Sequence, residues 1–469
     1  MRPGFERLFL LVAVIYVAVT GWAMSNLSYD VWGGFLIAPI LVLFTLPLLR
    51  RAFRGELASL FPIAVTGLLA KFAGAIFRYW VAFDAYGGSA DAAGYHEFGK
   101  RLAGEIRNGL APLSDIIPSG TGTQFLQRAT ATVYTIFGSS RMGGFFLFAW
   151  FAYLGTVLYV LAAIRALPGL AVRRFAWMMF LAPSLLFWPS SIGKEALLMP
   201  FLGAIAFFGA RLLHRRWKGW TIPGLALGVI GAANVRPHIS AIWSAGIIVA
   251  LVATLTMGRR LQGSGSRTGT FVLLAFAAIA FVAVSSSALR FLDPKGEAVD
   301  ARPLIDRVDA IFSSTEARTD TGGSTFEGVT ISSPIDWPYA IVRTLTRPLL
   351  TEVNSFTEFL PGVEITAFVV LALIGWRRLA NIPRLMRTTP YLWFALSVLV
   401  MFGLAFSVFR NLGLLARQRS LVAPFMVLLV CLPQWQPLVR ARPALPSKRK
   451  AVAEPVEHPE LQPQGGRVG

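Results

Sequence analysis

Residues 143–164 read GGFFLFAWFAYLGTVLYVLAAI, without one charged side chain, between Arg141 and Arg165. A helix needs roughly 20 mostly apolar residues to cross the hydrocarbon core of a bilayer, and this run meets that length. Similar windows recur on both sides of it. They cover Leu8 to Met24, Val31 to Leu49, Leu57 to Trp80, Phe175 to Trp188, Ala196 to Leu213 and Thr221 to Ala233. Beyond these come Ile239 to Met257, Thr270 to Leu289, Ile365 to Trp376, Tyr391 to Phe409 and Leu421 to Val439. The sequence therefore predicts an all-α polytopic membrane protein of about twelve transmembrane helices. Met24 is followed by no small-residue cleavage site and at once by a second window, so the first reads as a retained span.

Composition agrees. The 469 residues are 55% hydrophobic and only 14% charged, whereas a soluble domain carries about a quarter charged residues. The formal charge of +20 comes from 44 Lys and Arg against 24 Asp and Glu, which raises nucleic acid as a partner. The distribution of the cations excludes it. Arg50-Arg51-Ala52-Phe53-Arg54, Arg173-Arg174, Arg215-Arg216-Trp217-Lys218, Arg259-Arg260, Arg377-Arg378 and Lys448-Arg449-Lys450 fall on every second connection, the positive-inside pattern of cytoplasmic loops. Both termini are then cytoplasmic, and the protein is expected in a bacterial cytoplasmic (inner) membrane. The single cysteine, Cys431, excludes an intramolecular disulfide and a cysteine-based metal cluster.

This topology divides the chain into an N-terminal two-helix unit (1–56), a membrane core (57–439) and a disordered cytoplasmic tail (440–469). Two long connections, 81–142 and 290–364, lie outside; connections of that length are usually functional or disordered. No repeat at 20–50 residue spacing is visible.

Four constellations on the outer side carry possible chemistry. In Asp84-Ala85-Tyr86-Gly87-Gly88-Ser89-Ala90-Asp91, two carboxylates flank a glycine turn, and Tyr95, Phe98 and Leu102 follow at helical spacing. Asp84 or Asp91 can serve as a general base on a hydroxyl or hold a divalent cation; Asp91 can equally just cap the helix that follows. In Trp188-Pro189-Ser190-Ser191-Ile192-Gly193-Lys194-Glu195, a charged pair stands where an apolar helix opens. Backbone N–H groups, Lys194, Ser190 and Ser191 can hold a phosphate there, unless Lys194 and Glu195 only snorkel to the interface as a pair. Asn234-Val235-Arg236-Pro237-His238 offers an arginine in a proline-restricted backbone and a histidine able to donate to an anion, unless Arg236 is simply an interfacial residue at a proline-marked helix end. Arg410 and Arg417-Gln418-Arg419 place three guanidiniums in a short outer connection, against the charge rule. Phosphate oxygens match that geometry bidentately, and ion pairing with acidic residues of the outer loops is the structural alternative. The histidines show no metal-ligand spacing, and Thr319 to Glu327, with its Gly-Gly turn, can close over a substrate as a lid or be plainly disordered.

The order of these clusters resembles polytopic bacterial membrane proteins of envelope and exopolysaccharide biosynthesis, and more broadly the GT-C membrane glycosyltransferases. The resemblance rests on Asp84 and Asp91, on Phe187 to Glu195, on Arg236-Pro237-His238 and on Arg417-Gln418-Arg419, and covers Leu57 to Val439. It departs from GT-C enzymes in having two spans before the first large outer loop and in lacking a paired carboxylate motif. It implies inverting transfer from a polyprenyl-phosphate sugar donor to a glycan or lipid-linked acceptor, with no certain cofactor. Asp91 or Asp84 would be catalytic. Lys194, Arg236, His238, Arg417 and Arg419 would bind the phosphate, supported by Ser190, Ser191, Glu195 and Tyr95. A polysaccharide polymerase or ligase, or a lipid-linked glycan transporter or flippase, would display similar parts.

The sidedness has a direct test. Ser89→Cys and Ser324→Cys should each react with a membrane-impermeant thiol reagent in intact cells, and labelling only after lysis would invert the topology.

Overall fold

The computed structural model describes residues 3–88, 90–117, 120–214, 219–257, 267–292, 333–353, 356–434 and 469. The expected lid at Thr319 to Glu327 and nearly all of the expected tail 440–469 lie outside those residues. The chain forms two units, Met1–Gln434 and Trp435–Gly469. Among the described residues all regular structure is helical, with no strand.

In chain order the helices are α1 (Pro3–Asn26), α2 (Tyr29–Ala52), α3 (Phe61–Trp80), α4 (Asp91–Arg107), α5 (Thr123–Phe137) and α6 (Arg141–Ala166). Then come α7 (Val172–Leu181), α8 (Pro183–Phe187), α9 (Lys194–Leu213), α10 (Thr221–Val235), α11 (Pro237–Met257), α12 (Arg267–Leu292) and α13 (Trp337–Thr346). The last are α14 (Phe356–Ile374), α15 (Trp376–Leu379), α16 (Ile382–Met386), α17 (Pro390–Ala405), α18 (Leu412–Arg419) and α19 (Ala423–Val430).

Five of these segments are long and apolar enough to cross a membrane: Tyr29–Ala52, Gly55–Ala85, Arg141–Ala166, Lys194–Leu213 and Pro237–Leu255. Two bent pairs raise the number to seven: Glu358–Ile374 turns by 74° into Trp376–Met386, and Leu412–Arg419 by 69° into Ala423–Val430. Of the remaining apolar windows, two lie in the continuous helices α1 and α12, and Thr221–Val235 and Pro390–Ala405 are shorter helices. Phe175 to Trp188, expected as one span, breaks between Leu181 and Pro183, because proline cannot donate the N–H that continuity requires. The expected outer loop 81–142 is largely helical, holding α4 and α5.

The core is built around α6, whose Phe145, Phe148, Ala149, Ala152 and Tyr153 are fully or almost fully enclosed. Its closest neighbour is α9, and the contact is made by glycine: a Cβ at Gly155 would lie 2.3 Å from the Met199 carbonyl oxygen, and one at Gly203 would lie 2.4 Å from the Gly155 oxygen. Helix association in lipid depends on such close backbone approach, since burial of apolar surface contributes little there. Outward-facing Leu36, Ile40, Leu43 and Phe44 on α2 form the apolar exterior a bilayer would cover, while Ile37, Leu41 and Thr45 point inward. Several polar groups inside are paired. Trp150 Nε1 donates to Thr45 Oγ1 at 2.7 Å, Tyr153 Oη to the Ala64 carbonyl at 2.7 Å, and Trp243 Nε1 to Tyr159 Oη at 3.1 Å. A region without water requires such pairing.

Helix α8 is held by two buried polar side chains. The Glu364 carboxylate accepts from Ser184 N at 2.8 Å and Ser184 Oγ at 2.9 Å, and Lys71 Nζ donates to the Leu185 carbonyl at 2.6 Å. These hydrogen bonds satisfy backbone groups that a five-residue helix leaves without intrahelical partners. Gly74 on α3 lets this segment approach, for a Cβ there would sit 2.4 Å from the Leu186 oxygen.

Helix α4 is amphipathic, burying Ala92, Tyr95, His96, Gly99, Leu102 and Ala103 and exposing Glu97, Lys100 and Arg101. Its buried His96 links it to the membrane helices: Nδ1 is 2.7 Å from Tyr134 Oη on α5, and Nε2 is 3.5 Å from Asp30 Oδ1 at the start of α2. Burial pulls the imidazole down to about 4, against the opposing pull of Asp30, so His96 is neutral near pH 7.

Gly155→Ala should force α6 and α9 apart and lower stability by roughly 1–3 kcal/mol, the usual scale of overpacking. Gly94→Ala, where nothing lies within 4 Å of the new Cβ, should be neutral or slightly stabilising on the helix. Thermal unfolding of the two variants in detergent makes the comparison.

Candidate functional site

The site gathers where α4, α9 and α18 open or end, together with the break between α10 and α11. Asn411 caps α18 by accepting from Leu414 N at 2.9 Å, so the stretch read as a short arginine-rich connection is a helix. Arg236 is the extended residue between α10 and α11, with φ −149° and ψ 96°, as the following Pro237 demands. Lys194 and Glu195 are the first two residues of α9, after Gly193.

Glu195 is 2% exposed and stands at the centre. Its Oε1 accepts from Arg236 Nη2 at 2.6 Å and from Arg417 Nε at 2.8 Å. The free N–H groups of the first turn of α9 add to the field that keeps this buried carboxylate ionised. Arg236, also buried, donates through Nη1 to Gln418 Oε1. Arg417 continues outward, its Nη1 lying 3.2 Å from Asp91 Oδ2. One guanidinium thus bridges a buried carboxylate and an exposed one. Lys194 is within electrostatic reach of Arg236, Glu195, Asp91 and Arg417.

Asp91 opens α4 with an exposed side chain, and the residue before it, Ala90, occupies the cap position. The carboxylate therefore serves Arg417 rather than capping its own helix. Gly87 and Gly88, at φ +55° and +77°, make the turn that precedes it, a conformation open to glycine at little cost. Asp84, on the π-helical turn Val81–Ala85, is exposed and forms no ion pair among the described residues. Tyr95 is buried beneath the cluster; burial lifts its phenol above the ordinary value, and Asp91 adds to the effect.

Other expected members are placed differently. Arg419 is buried and donates to the Arg347 carbonyl, with Glu364 rather than Glu195 as the acid in its field. Two residues apart on a helix, Arg417 and Arg419 cannot face the same way. Ser190 Oγ donates to the Leu186 carbonyl, which commits its hydrogen to the backbone. Ser191 is buried and His238 partly so, with the imidazole 6.2 Å from the Phe406 ring centre. Of the described acids in the loop 290–364, Glu352 pairs with Arg347 at 3.0 Å and Glu364 accepts from Ser184. Among the described residues the acidic partners of Arg417 are Asp91, in the expected outer loop 81–142 as the ion-pairing alternative has it, and Glu195.

Arg78, inside the third apolar window, was not among the expected site residues. Its guanidinium lies 4.8 Å from the centre of the Phe187 ring and 5.2 Å from that of Trp188, within the fields of Arg417, Glu195 and Asp91. The signal was present, because a cation within an apolar span marks function by default. It borders a cavity of about 530 Å³ walled by Phe77, Trp80, Val81, Phe187, Trp188 and Leu360. Arg78, Lys194, Arg236 and Arg417 supply four positive charges and Asp91 and Glu195 two negative ones, so the cluster has a formal excess of two positive charges. No group of three or more histidine, cysteine or acidic side chains that could hold a metal occurs among the described residues. No family model, curated protein or solved structure matches the chain.

Glu195→Gln removes the buried acid shared by the buried Arg236 and the partly exposed Arg417 and should cost about 3–5 kcal/mol of stability. Lys100→Gln removes a half-exposed partner 3.8 Å from Asp30 and should cost at most about 1 kcal/mol. Paired thermal melts of the purified variants would show this ranking.

Proposed function

We propose that the chain is a membrane glycosyltransferase that takes a sugar from a polyprenyl-phosphate carrier on the extracytoplasmic face, for cell-envelope or exopolysaccharide assembly. The observation that carries this reading is the excess of fixed cations around Glu195, with an exposed carboxylate at their edge and an apolar cavity beside them. Fixed cations suit a phosphate, the carboxylate suits a hydroxyl nucleophile and the apolar walls suit a lipid. In this reading the chain crosses the membrane about twelve times, counting the shorter and broken helices, in a GT-C-like arrangement.

In the transfer, Asp91 accepts the proton of the acceptor hydroxyl as its oxygen bonds to the anomeric carbon. The bond from that carbon to the carrier's phosphate oxygen breaks, and the phosphate leaves with the electron pair. Arg417, Arg236 and Lys194 stabilise the charge that develops on it, the main contribution expected where donors are held in place in advance. Arg417 has a second task. Its Nη1 holds Asp91 at 3.2 Å; a donor phosphate competes for the same guanidinium and frees the Asp91 carboxylate for the acceptor when the substrate is bound.

Asp91→Asn should reduce glycan formation by about a hundredfold or more while leaving lipid-donor binding intact, the loss typical for a general base. Arg417→Lys should weaken donor binding, because an ammonium lacks the bidentate fork. Product formation and donor affinity are measured on the same membrane preparations. If Asp91→Asn retains full activity and Asp84→Asn does not, the base is Asp84; full activity in both removes the transferase reading.

A further inference from the structure

We infer that the cavity beside Arg78 binds the first apolar segment of a phosphate-headed lipid, with Arg78 as a phosphate ligand. The inference rests on the proposed function for its setting and adds the lipid's binding surface and one cation to it.

The cavity's volume, about 530 Å³, lies within the roughly 300–1,000 Å³ that ligand pockets occupy. Its walls come from three elements: Phe77 and Trp80 on α3, Phe187 and Trp188 at the end of α8, and Phe359 and Leu360 on α14. Phe77, Trp80 and Phe359 are 41%, 48% and 51% exposed, so the cavity opens sideways on an apolar surface rather than closing as a core void. A chain lying there would exchange one hydrocarbon neighbour for another and gain aromatic packing. What makes the surface specific is the charge at its rim. Arg78 rests over Phe187 and Trp188, which fixes the plane of its guanidinium, and its Nε is buried with no hydrogen-bond partner. Charge complementarity selects the occupant: the one acid that lines the cavity, Glu364, is committed to Ser184, while the end at Arg78 adjoins cations in excess, so the lipid enters with an anionic head toward Arg78 and its chain among the rings.

Two lipids share that chemistry, a polyprenyl phosphate and an anionic phospholipid of the bilayer. The test is equilibrium binding of polyprenyl phosphate to the full-length protein in nanodiscs of zwitterionic lipid, with phosphatidylglycerol and the uncharged polyprenol as competitors. Ala85 lines the cavity with an exposed side chain, and Ala85→Trp fills it. Leu360→Trp fills it from the opposite wall if the first variant does not fold.

The expected result is a loss of about tenfold or more in polyprenyl phosphate affinity for Arg78→Gln, the scale of one charge-assisted hydrogen bond, and a similar loss for the filled cavity. Polyprenol should lose affinity only when the cavity is filled. Equal competition by phosphatidylglycerol would support the cavity and name the bilayer phospholipid as its occupant; weak competition would support it and name the polyprenyl carrier. Unchanged affinity in both Arg78→Gln and a folded, filled variant would overturn the inference. Because no sugar transfer is measured, the expected pattern together with fully active Asp91→Asn and Asp84→Asn variants would keep the lipid site and discard only the transferase.

Discussion

One carboxylate oxygen, Oε1 of Glu195, holds two guanidiniums from distant parts of the chain. A buried acid of this kind is tolerable only when it is fully compensated, and a buried arginine such as Arg236 is tolerable only in the company of an acid. The constraint is mutual. It fixes where α9 begins, how the break between α10 and α11 is set and which face α18 turns inward, since a small displacement of any of them would leave a charge unpaired in a poorly hydrated region. Asp91 then joins from the outside, and through it α4 is referenced to the same point.

The second anchoring system is independent of the first. His96, Tyr134 and Asp30 hold α4 and α5 to the start of α2, with Lys100 and Arg141 completing the charges around Asp30. Near neutral pH this system contains an uncharged imidazole, so it relies on hydrogen bonding more than on ion pairing. Asp91 thus stands on a helix held at two points, by Arg417 at its first residue and by His96 further along.

Much of this was legible in the sequence for a simple reason. A charged residue next to a long apolar run must find compensation, so Lys194, Glu195, Arg236 and Arg417 announced themselves individually, and the structure brings them together with Asp91. Their pairing was not legible, because sequence separation carries no information about which charges meet. Three readings failed on local geometry. Arg419 was grouped with Arg417 as though both lay in an irregular connection, whereas a helix turns them to different faces. Ser190 looked like a free donor, but its hydroxyl reaches back one turn to a carbonyl. Arg78 and Lys71 were absorbed into an apolar window by averaging, although a lone cation inside a span is more informative than the window's mean. The long span of Phe175 to Trp188 failed on Pro183, whose effect on continuity could have been read directly.

The spacing of the ion cluster along the chain also orders its assembly. Glu195 and Arg236 are 41 positions apart, so a ribosome delivers them to the membrane close together, and they can neutralise each other while most of the C-terminal half is still unmade. Arg417 arrives much later, 326 positions after the Asp91 it will touch. The nascent protein therefore inserts its acidic centre already half-compensated, and the outer carboxylate gains its arginine only when α18 is in place. Completion of the site is in this way a late event of biogenesis, and a chain truncated before α18 would insert its earlier helices yet present an Asp91 with no cation from that helix beside it.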